Sequence, residues 1–360
     1  MNVYFLDPDF EEQYVLDIFK SLIWTKRYYT YGDFELYVPA SADIKQILPA
    51  SPYVGGGCPY LKRDDDDSVM IIEKIVLTTD AENGDFYTLS GRSLESILSR
   101  RIVWNQTNID VSDPAQAIYE LLDKNIGEHA DDVFATAPAQ PERVISNFVI
   151  DDSFVSSGNL KKQLTGTDLG EAVSEICRLY GLGYKMTVSG QNIVFSLYAG
   201  AEKNVEFSPE FDNLKKSDYL YDAFDLKTVA LIAGEGEGTA RRRASIDVGT
   251  DRQYTIFRRE LYVDARDISS NDGEISYNDY SDLLIARGRE KLNECPFLQA
   301  FEGEIEPETT FKYKTDYNLG DVVTISNGYG VTMQQRITEI IECWDDTGYT
   351  VAPTFSKKEW

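Results

Sequence analysis

Residues 317–325 read Tyr-Asn-Leu-Gly-Asp-Val-Val-Thr-Ile, residues 335–342 read Gln-Arg-Ile-Thr-Glu-Ile-Ile-Glu, and residues 348–351 read Gly-Tyr-Thr-Val. Each block is short and rich in β-branched residues, and the breaks between blocks contain Gly, Asn and Asp. This pattern is typical of consecutive antiparallel strands in a small barrel or sandwich. We therefore predict a β domain that begins near Phe301 and contains no catalytic motif.

The first hundred residues predict a second β-rich unit. Apolar and polar positions alternate along residues 3–5, 14–18 and 34–38, which is the period-two pattern of half-buried strands. Two further strands are predicted at 69–77 and 86–89, joined by a hairpin. The Pro- and Gly-rich stretch from residue 49 to residue 68 is predicted to be a loop.

A faint internal repeat links these two units. Residues 72–75 (Ile-Glu-Lys-Ile) and 87–89 (Tyr-Thr-Leu) parallel residues 337–340 (Ile-Thr-Glu-Ile) and 349–351 (Tyr-Thr-Val). Two similar domains, one towards each end of the chain, would leave such a repeat.

The middle of the chain has a helical period instead. Apolar residues recur at helical spacing after Ser112-Asp-Pro and again between residues 169 and 181, and a hairpin is predicted at 184–197. Strands at 224–233, 244–248 and 254–263 and a helix near 282–294 complete the pattern. The two helices and the hairpin predict an α/β domain that is separate from the first β unit.

The charge balance excludes two classes of partner. The chain carries 61 acidic and 35 basic side chains, which gives a net charge of −26. Such a surface repels phosphate backbones and anionic lipids, so we expect neither tight nucleic-acid binding nor stable membrane association. No apolar run approaches the ~20 residues that span a bilayer. The N-terminal residues lack the basic region of a secretory signal.

The sequence predicts no catalytic, cofactor-binding or metal-binding residues. The single histidine, His129, cannot build a histidine metal cluster, and no serine lies in a Gly-x-Ser-x-Gly elbow. No cofactor is expected. A pair of carboxylates for glycoside hydrolysis stays open, because the chain contains 61 acidic residues. The four cysteines carry no Cys-x-x-Cys pair and predict buried free thiols, made in a reducing cytoplasm; they are Cys58, Cys177, Cys295 and Cys343.

Three further motifs have structural interpretations. The run of four aspartates at 64–67 lacks the ligand spacing of a calcium loop and predicts a solvated hairpin tip. Residues 234–238, Gly-Glu-Gly-Glu-Gly, lack the lysine of a phosphate-binding loop and predict a flexible hairpin loop. In an assembly, Arg241 and Arg243 could meet acidic residues of a neighbouring subunit. The tyrosines at 28–29, 219 and 221 suit either a core or an interface.

Several of these stretches together resemble the tail-tip hub proteins of siphophages, which are related to the baseplate hubs of contractile tails. The resemblance spans nearly the whole chain, and its motifs are structural. The motifs that carry it are residues 24–29, 32–36, 91–98, 319–325, 336–340 and 348–355.

The resemblance implies a mainly β (α+β) fold, with two small antiparallel β-barrel domains flanking an inserted, discontinuous α/β domain. The first barrel would comprise residues 1–102. The inserted domain would comprise 103–204 and 240–296, and the second barrel 205–239 and 297–360. Because the chain stops at Trp360, directly after the last predicted strand, we expect no lysin or receptor-binding extension.

The implied function is structural. The protein would form a homotrimeric hub in the virion tail that joins the tail tube or distal tail protein to the tape-measure or tip/spike protein and lets DNA pass, without enzymatic activity. It would be made in the bacterial cytoplasm. An alternative is the hub of a phage-tail-like bacteriocin or injection particle. Alternatives from other classes are a carbohydrate-active tail enzyme and a glycan-binding module.

Overall fold

The computed structural model describes residues 1–50, 57–82, 84–130, 143–249, 255–305 and 311–357. With 42% of residues in strands and 20% in helices, the chain is mainly β, as the sequence predicts. Within the described residues, no helix is both long and apolar enough to cross a membrane.

The N-terminal part of the chain forms strands that surround one apolar core. The predicted loop at 49–68 is interrupted by a strand, because Leu61 alternates into this core. The core's largest fully buried members include Trp24 and Phe5. The strands are β1 (Val3–Leu6), β2 (Glu12–Leu16), β3 (Ser21–Arg27), β4 (Asp33–Pro39), β5 (Tyr60–Arg63), β6 (Val69–Thr78) and β7 (Phe86–Ser93), with the helix α1 (Ala42–Ile47) between β4 and β5.

The middle of the chain forms a mixed unit with its own core. The helix α2 begins at an Asp113 cap and α3 ends at Gly181, whose left-handed backbone (φ 63°) closes the helix. The apolar faces of both helices pack against the strands of this unit. The elements are a 3₁₀ helix (Leu94–Arg100), β8 (Thr107–Val111), α2 (Pro114–Asn125), β9 (Phe148–Asp151), β10 (Leu160–Leu164), α3 (Leu169–Tyr180), β11 (Gly183–Ser189) and β12 (Asn192–Tyr198).

The remaining strands return to the large sheet, but a smaller unit is inserted between two of them. The order is β13 (Glu202–Phe207), β14 (Leu214–Asp222), then β15 (Val229–Ala233), β16 (Arg243–Asp247), β17 (Glu260–Asp264) and α4 (Tyr277–Asn293), and finally β18 (Leu298–Ile305), β19 (Val322–Ser326), β20 (Thr332–Asp345) and β21 (Gly348–Lys357). One face of the three-stranded sheet β16-β15-β17 is covered by α4 and forms a separate core.

This arrangement corrects the prediction that residues 224–233 belong to the second barrel. The strand starts only at Val229, and it pairs with β16 on one side and β17 on the other, so that it lies in the inserted unit. Alternating apolar residues predict a strand but not its partner strands. The other predicted domain boundaries stay predictions.

The two predicted barrels are joined in one 13-stranded sheet. Its order is β14-β18-β21-β20-β3-β4-β7-β6-β5-β1-β2, with β19 pairing both β20 and β13. The two halves meet where β20 pairs with β3, with Arg27 opposite Glu339 and Leu22 opposite Trp344. Each half curls around its own core, but no closed barrel is detected among the described residues, so the two-barrel detail is not confirmed.

One glycine shows how closely the strands pack. Gly91 on β7 lies opposite Ile72, next to a bulge in β6. A Cβ added at Gly91 would lie 1.9 Å from the backbone oxygen of Ile71. Because backbone atoms cannot move aside as a flexible side chain can, only glycine fits there.

We expect Gly91→Ala to lower the free energy of unfolding by about 2–3 kcal/mol, since the added methyl group must push two strands apart. Urea denaturation measures this change. Gly328→Ala is the matched control, because its Cβ would meet no atom within 4 Å. Equal stability of the two variants would show that the close approach at Gly91 is not restrictive.

Candidate functional site

The halves of the sheet are locked together by a buried ion pair. Arg63 ends β5 and is fully buried, and Glu342 on β20 is 1% exposed. The guanidinium donates from Nη1 to Glu342 Oε2 at 3.0 Å and from Nη2 to Oε1 at 3.2 Å. The Trp344 ring centroid lies 4.1 Å from the Arg63 guanidinium carbon and the Trp24 centroid 5.3 Å from it. Two indoles therefore shield a fork-shaped ion pair from water.

The aspartate run at 64–67 extends this ion pair into a network. Asp65 accepts from Arg63 at 2.6 Å and lies 3.1 Å from the ammonium of Lys314. The side chain of Asp66 is 1% exposed and accepts from Lys26 at 2.6 Å. We call Asp65, Asp66, Lys26 and Lys314, together with Arg63 and Glu342, the junction. The prediction of a solvated hairpin tip is therefore wrong for Asp66, because cations from β3 and from the segment before β19 surround it.

The contacts within the junction keep Asp66 and Arg63 in their charged forms. Burial disfavours the ionised form of Asp66, but the nearby Lys26 ammonium and the hydrogen bonds from Ser68 outweigh burial and hold its pKa well below the usual range. Burial likewise opposes the charge on Arg63, but its bonds to Asp65 and Glu342 raise its pKa above the ordinary value. Both groups therefore stay charged at neutral pH.

The side chain of Tyr28 connects the middle unit to the sheet. The ring of Tyr28 is fully buried, and its hydroxyl donates to the backbone oxygen of Gly181 at 3.0 Å and accepts from the amide of Gly200 at 3.0 Å. Added Cβ atoms at Gly183 and Gly320 would lie within 2.3 Å of this ring. Tyr28 is thus a core residue at the meeting point of three parts of the chain, which resolves the open interpretation of this tyrosine.

A cleft of about 320 Å³ lies beside the junction, between the N-terminal strands and β11. It is lined by two carboxylates, Glu95 and Asp67, among other residues. Glu95 is buried and accepts from the amide of Met186 at 2.7 Å, and burial raises its pKa. Asp67 accepts from Lys185 at 2.8 Å. Asp67 therefore connects the large sheet to the middle unit, whereas Glu95 joins two elements of the middle unit. The sequence pattern does not single out Glu95.

The inserted unit docks on the middle unit through polar contacts. Lys162 on β10 is largely buried and lies 2.6 Å from Glu175 and 3.0 Å from Glu290 of α4. The neighbouring Lys161 lies 3.3 Å from Asp279, also on α4. Because the two units have separate apolar cores, these ion pairs set how they meet.

The other predicted residues lie apart from the junction. His129 is exposed and pairs with Asp123 at 2.8 Å. Arg241 pairs with Asp264 of its own chain at 2.5 Å, and its contact with a neighbouring subunit stays a prediction. All four cysteines are free thiols: Cys58 and Cys177 are buried as predicted, whereas Cys295 and Cys343 are half-buried.

The described residues contain no group of three or more His, Cys, Asp and Glu side chains that could hold a metal ion. The arrangement seen at the junction is instead one of paired charges and stacked aromatic rings. Such an arrangement fixes the relative position of three parts of a chain.

The sequence matches the model of the siphovirus ReqiPepy6 Gp37-like proteins over residues 1–356. The chain belongs to this family. No curated protein matches it. The resemblance to siphophage tail proteins that the sequence predicts is confirmed.

Solved tail proteins share the fold. The 43 kDa tail protein of prophage MuSo2 from Shewanella oneidensis is 13% identical with a TM-score of 0.58, over 99% of this chain and 97% of that one. A tail protein from Neisseria meningitidis is 12% identical with a TM-score of 0.57, over 99% and 96%. A prophage tail protein from Listeria monocytogenes is 10% identical with a TM-score of 0.55, over 99% and 95%. At these identities the likeness is one of fold.

We expect Arg63→Ala to lower the free energy of unfolding by about 3 kcal/mol, because it leaves Glu342 buried beside a single cation. The double variant Arg63→Met with Glu342→Leu should lose less stability than Arg63→Ala, since neither member of the ion pair then remains as a buried charge. Lys20→Ala, which removes a 4.0 Å surface contact with Asp346, is the control and should change stability by less than about 0.5 kcal/mol. Urea denaturation at pH 7 compares all three. Equal losses for Arg63→Ala and Lys20→Ala would contradict the junction.

We expect the stabilising effect of Asp66 to depend on pH. Its pKa is lowered on folding, so its contribution is complete well above the unfolded pKa of about 3.9 and is lost as the pH falls below that value. Asp66→Asn should therefore destabilise the protein at pH 7 and progressively less below about pH 4. Denaturation midpoints from pH 7 to pH 3 test this. A stability difference that does not change with pH would show that folding does not lower the pKa of this carboxyl group.

Proposed function

We propose that this protein is a structural tail component that forms the homotrimeric hub of a tail tip or baseplate. The observation that carries the proposal is the single sheet that joins both halves of the chain through the buried junction. A hub must keep its parts in a fixed geometry under load, and paired strands with shielded ion pairs supply that rigidity. The family and the fold shared with prophage tail proteins support a location in the virion tail.

In this role the hub would join the tail tube or distal tail protein to the tape-measure or tip/spike protein, and DNA would pass through its centre. The net charge of −26 supports a DNA conduit, because an acidic lining repels the phosphate backbone. The chain would act by assembly and symmetry matching and not as an enzyme. The hub of a phage-tail-like bacteriocin or injection particle would use the same architecture.

The cleft offers the best test of the carbohydrate-active alternative. An acid–base pair needs carboxylates that reach a substrate. Glu95 already accepts from the Met186 amide and Asp67 from Lys185. These contacts favour a structural use of both carboxylates, so the hub remains the conclusion.

We expect the purified protein to form a trimer of about three times 40.7 kDa. Native mass spectrometry and light scattering across a salt series measure this directly. The control is a mixture with the cognate tube or distal tail protein, which can close a ring that the isolated chain leaves open. A protein that stays monomeric alone and with that partner would contradict the hub.

A further inference from the structure

The two halves of the large sheet repeat the same order of five strands. The order β3-β4-β7-β6-β5 in the N-terminal half corresponds to β14-β18-β21-β20-β19 in the C-terminal half. The hairpin β6–β7 has a register shift between Ile72 and Lys74, and the hairpin β20–β21 has one between Ile337 and Glu339. Equivalent bulges at equivalent strands extend the faint repeat of the sequence to a structural repeat.

The pairing registers assign equivalent residues to four strands in each half. Starting from the residue before each bulge, directly opposed residues can be followed from strand to strand. The two series are Ile72–Gly91–Phe34–Trp24 and Ile337–Phe355–Phe301–Tyr219. Trp24 of β3 therefore corresponds to Tyr219 of β14, and Lys74 of β6 corresponds to Glu339 of β20.

Among the described residues, β20 pairs with β3, but the equivalent pairing of β6 with β14 is absent. After its bulge, β20 pairs along residues 339–344 with β3. The equivalent contact would join residues 74–78 of β6 to β14. Among the described residues, this part of β6 pairs only with β7. β14 is the terminal strand of the sheet, and six strands lie between it and β6. The repeat thus leaves two complementary strand edges open.

The two edges match in chemistry. Each carries three consecutive apolar residues whose exposed fractions lie between 37% and 65%, which is unusual for strands that face only water. They are Ile75, Val76 and Leu77 on β6, and Tyr219, Leu220 and Tyr221 on β14.

The register of β3 on β20 can be transferred to these edges. It places Val76 opposite Leu220 and Lys74 opposite Asp222. The second pair repeats the ion pair between Arg27 and Glu339, which are 2.6 Å apart in this chain, with the charges exchanged. Both hydrophobic pairing and charge complementarity therefore follow from one register.

We propose that β14 of one copy of this chain adds to residues 74–78 of β6 in the next copy, in the register of β3 on β20. Because the two edges are different surfaces, the contact is heterologous and repeats head to tail until a ring closes. Around the ring, the strand pairs within each chain would then alternate with equivalent strand pairs between neighbouring chains. The inference rests on the proposed hub and identifies the surfaces by which its copies meet.

Cysteine pairing tests the register. Val76→Cys and Leu220→Cys are introduced together into full-length protein in which Cys295 and Cys343 are replaced by serine. Under mild oxidation we expect covalent oligomers that end in a closed species with the mass of the non-covalent ring, because opposed Cβ atoms in a sheet lie within disulfide reach. Each single variant should give no such series. Val76→Cys with Val149→Cys is the matched control, since Val149 on β9 is similarly exposed.

Charge exchange tests the same contact without a disulfide. Lys74→Glu in the double-cysteine protein should slow cross-linking about five-fold, and adding Asp222→Lys should restore the rate to within about two-fold. An unchanged melting temperature of each variant shows that folding is intact.

The outcomes separate the interface from the hub. A wild-type oligomer whose double-cysteine variant cross-links no better than the Val149 control would overturn the interface and leave the hub in place. A protein that is monomeric alone and with its tail partner, and that never cross-links through residues 76 and 220, would overturn both. Ring-sized covalent products from the designed pair alone would support the interface.

Discussion

The pairing of β3 with β20 is the contact on which the rest of the structure depends, because it converts two separate β units into one sheet. The residues that pair are more than 300 positions apart, so strand pairing alone must offset a large loss of chain entropy. The shielded Arg63–Glu342 pair fixes the register there. A buried ion pair adds little net stability over apolar packing, but a register shifted by one residue would separate the two buried charges. Its main effect is therefore specificity.

The sequence predicts strands and helices well where their periodicity is local. The caps at Asp113 and Gly181 lie where the pattern predicts them, since capping depends on neighbouring residues. Partner strands depend on distant residues, which explains why the strand ending at Ala233 was assigned to the wrong sheet. Asp66 is buried for the same reason: Lys26 and Lys314 approach it from remote segments, and an aspartate run by itself indicates only solvation.

The tyrosines illustrate the same limit at the candidate site. Tyr28 and Tyr219 lie in short aromatic clusters, and no local signal separates them. Tyr28 directly follows β3, and Tyr219 lies on β14, the strand equivalent to β3, where it corresponds to Trp24. Trp24 is fully buried where β3 pairs with β20, whereas Tyr219 is 38% exposed on β14, whose outer edge has no partner strand among the described strands. The exposure of an aromatic residue therefore depends on a partner strand that is distant in the sequence, which no local pattern can predict.

A chain with a net charge of −26 has a physical reason to use such edges for assembly. Copies of equal sign repel one another over distances up to the Debye length, about 10 Å at 0.1 M salt. Only short-range interactions can overcome this repulsion, and strand hydrogen bonds and apolar contacts act within a few ångströms. Lys74 would place one of the chain's 35 basic side chains where the acidic edge of β14 arrives. In the proposed hub, the acidic surplus would remain on surfaces away from these edges, where repulsion between like charges opposes non-specific association.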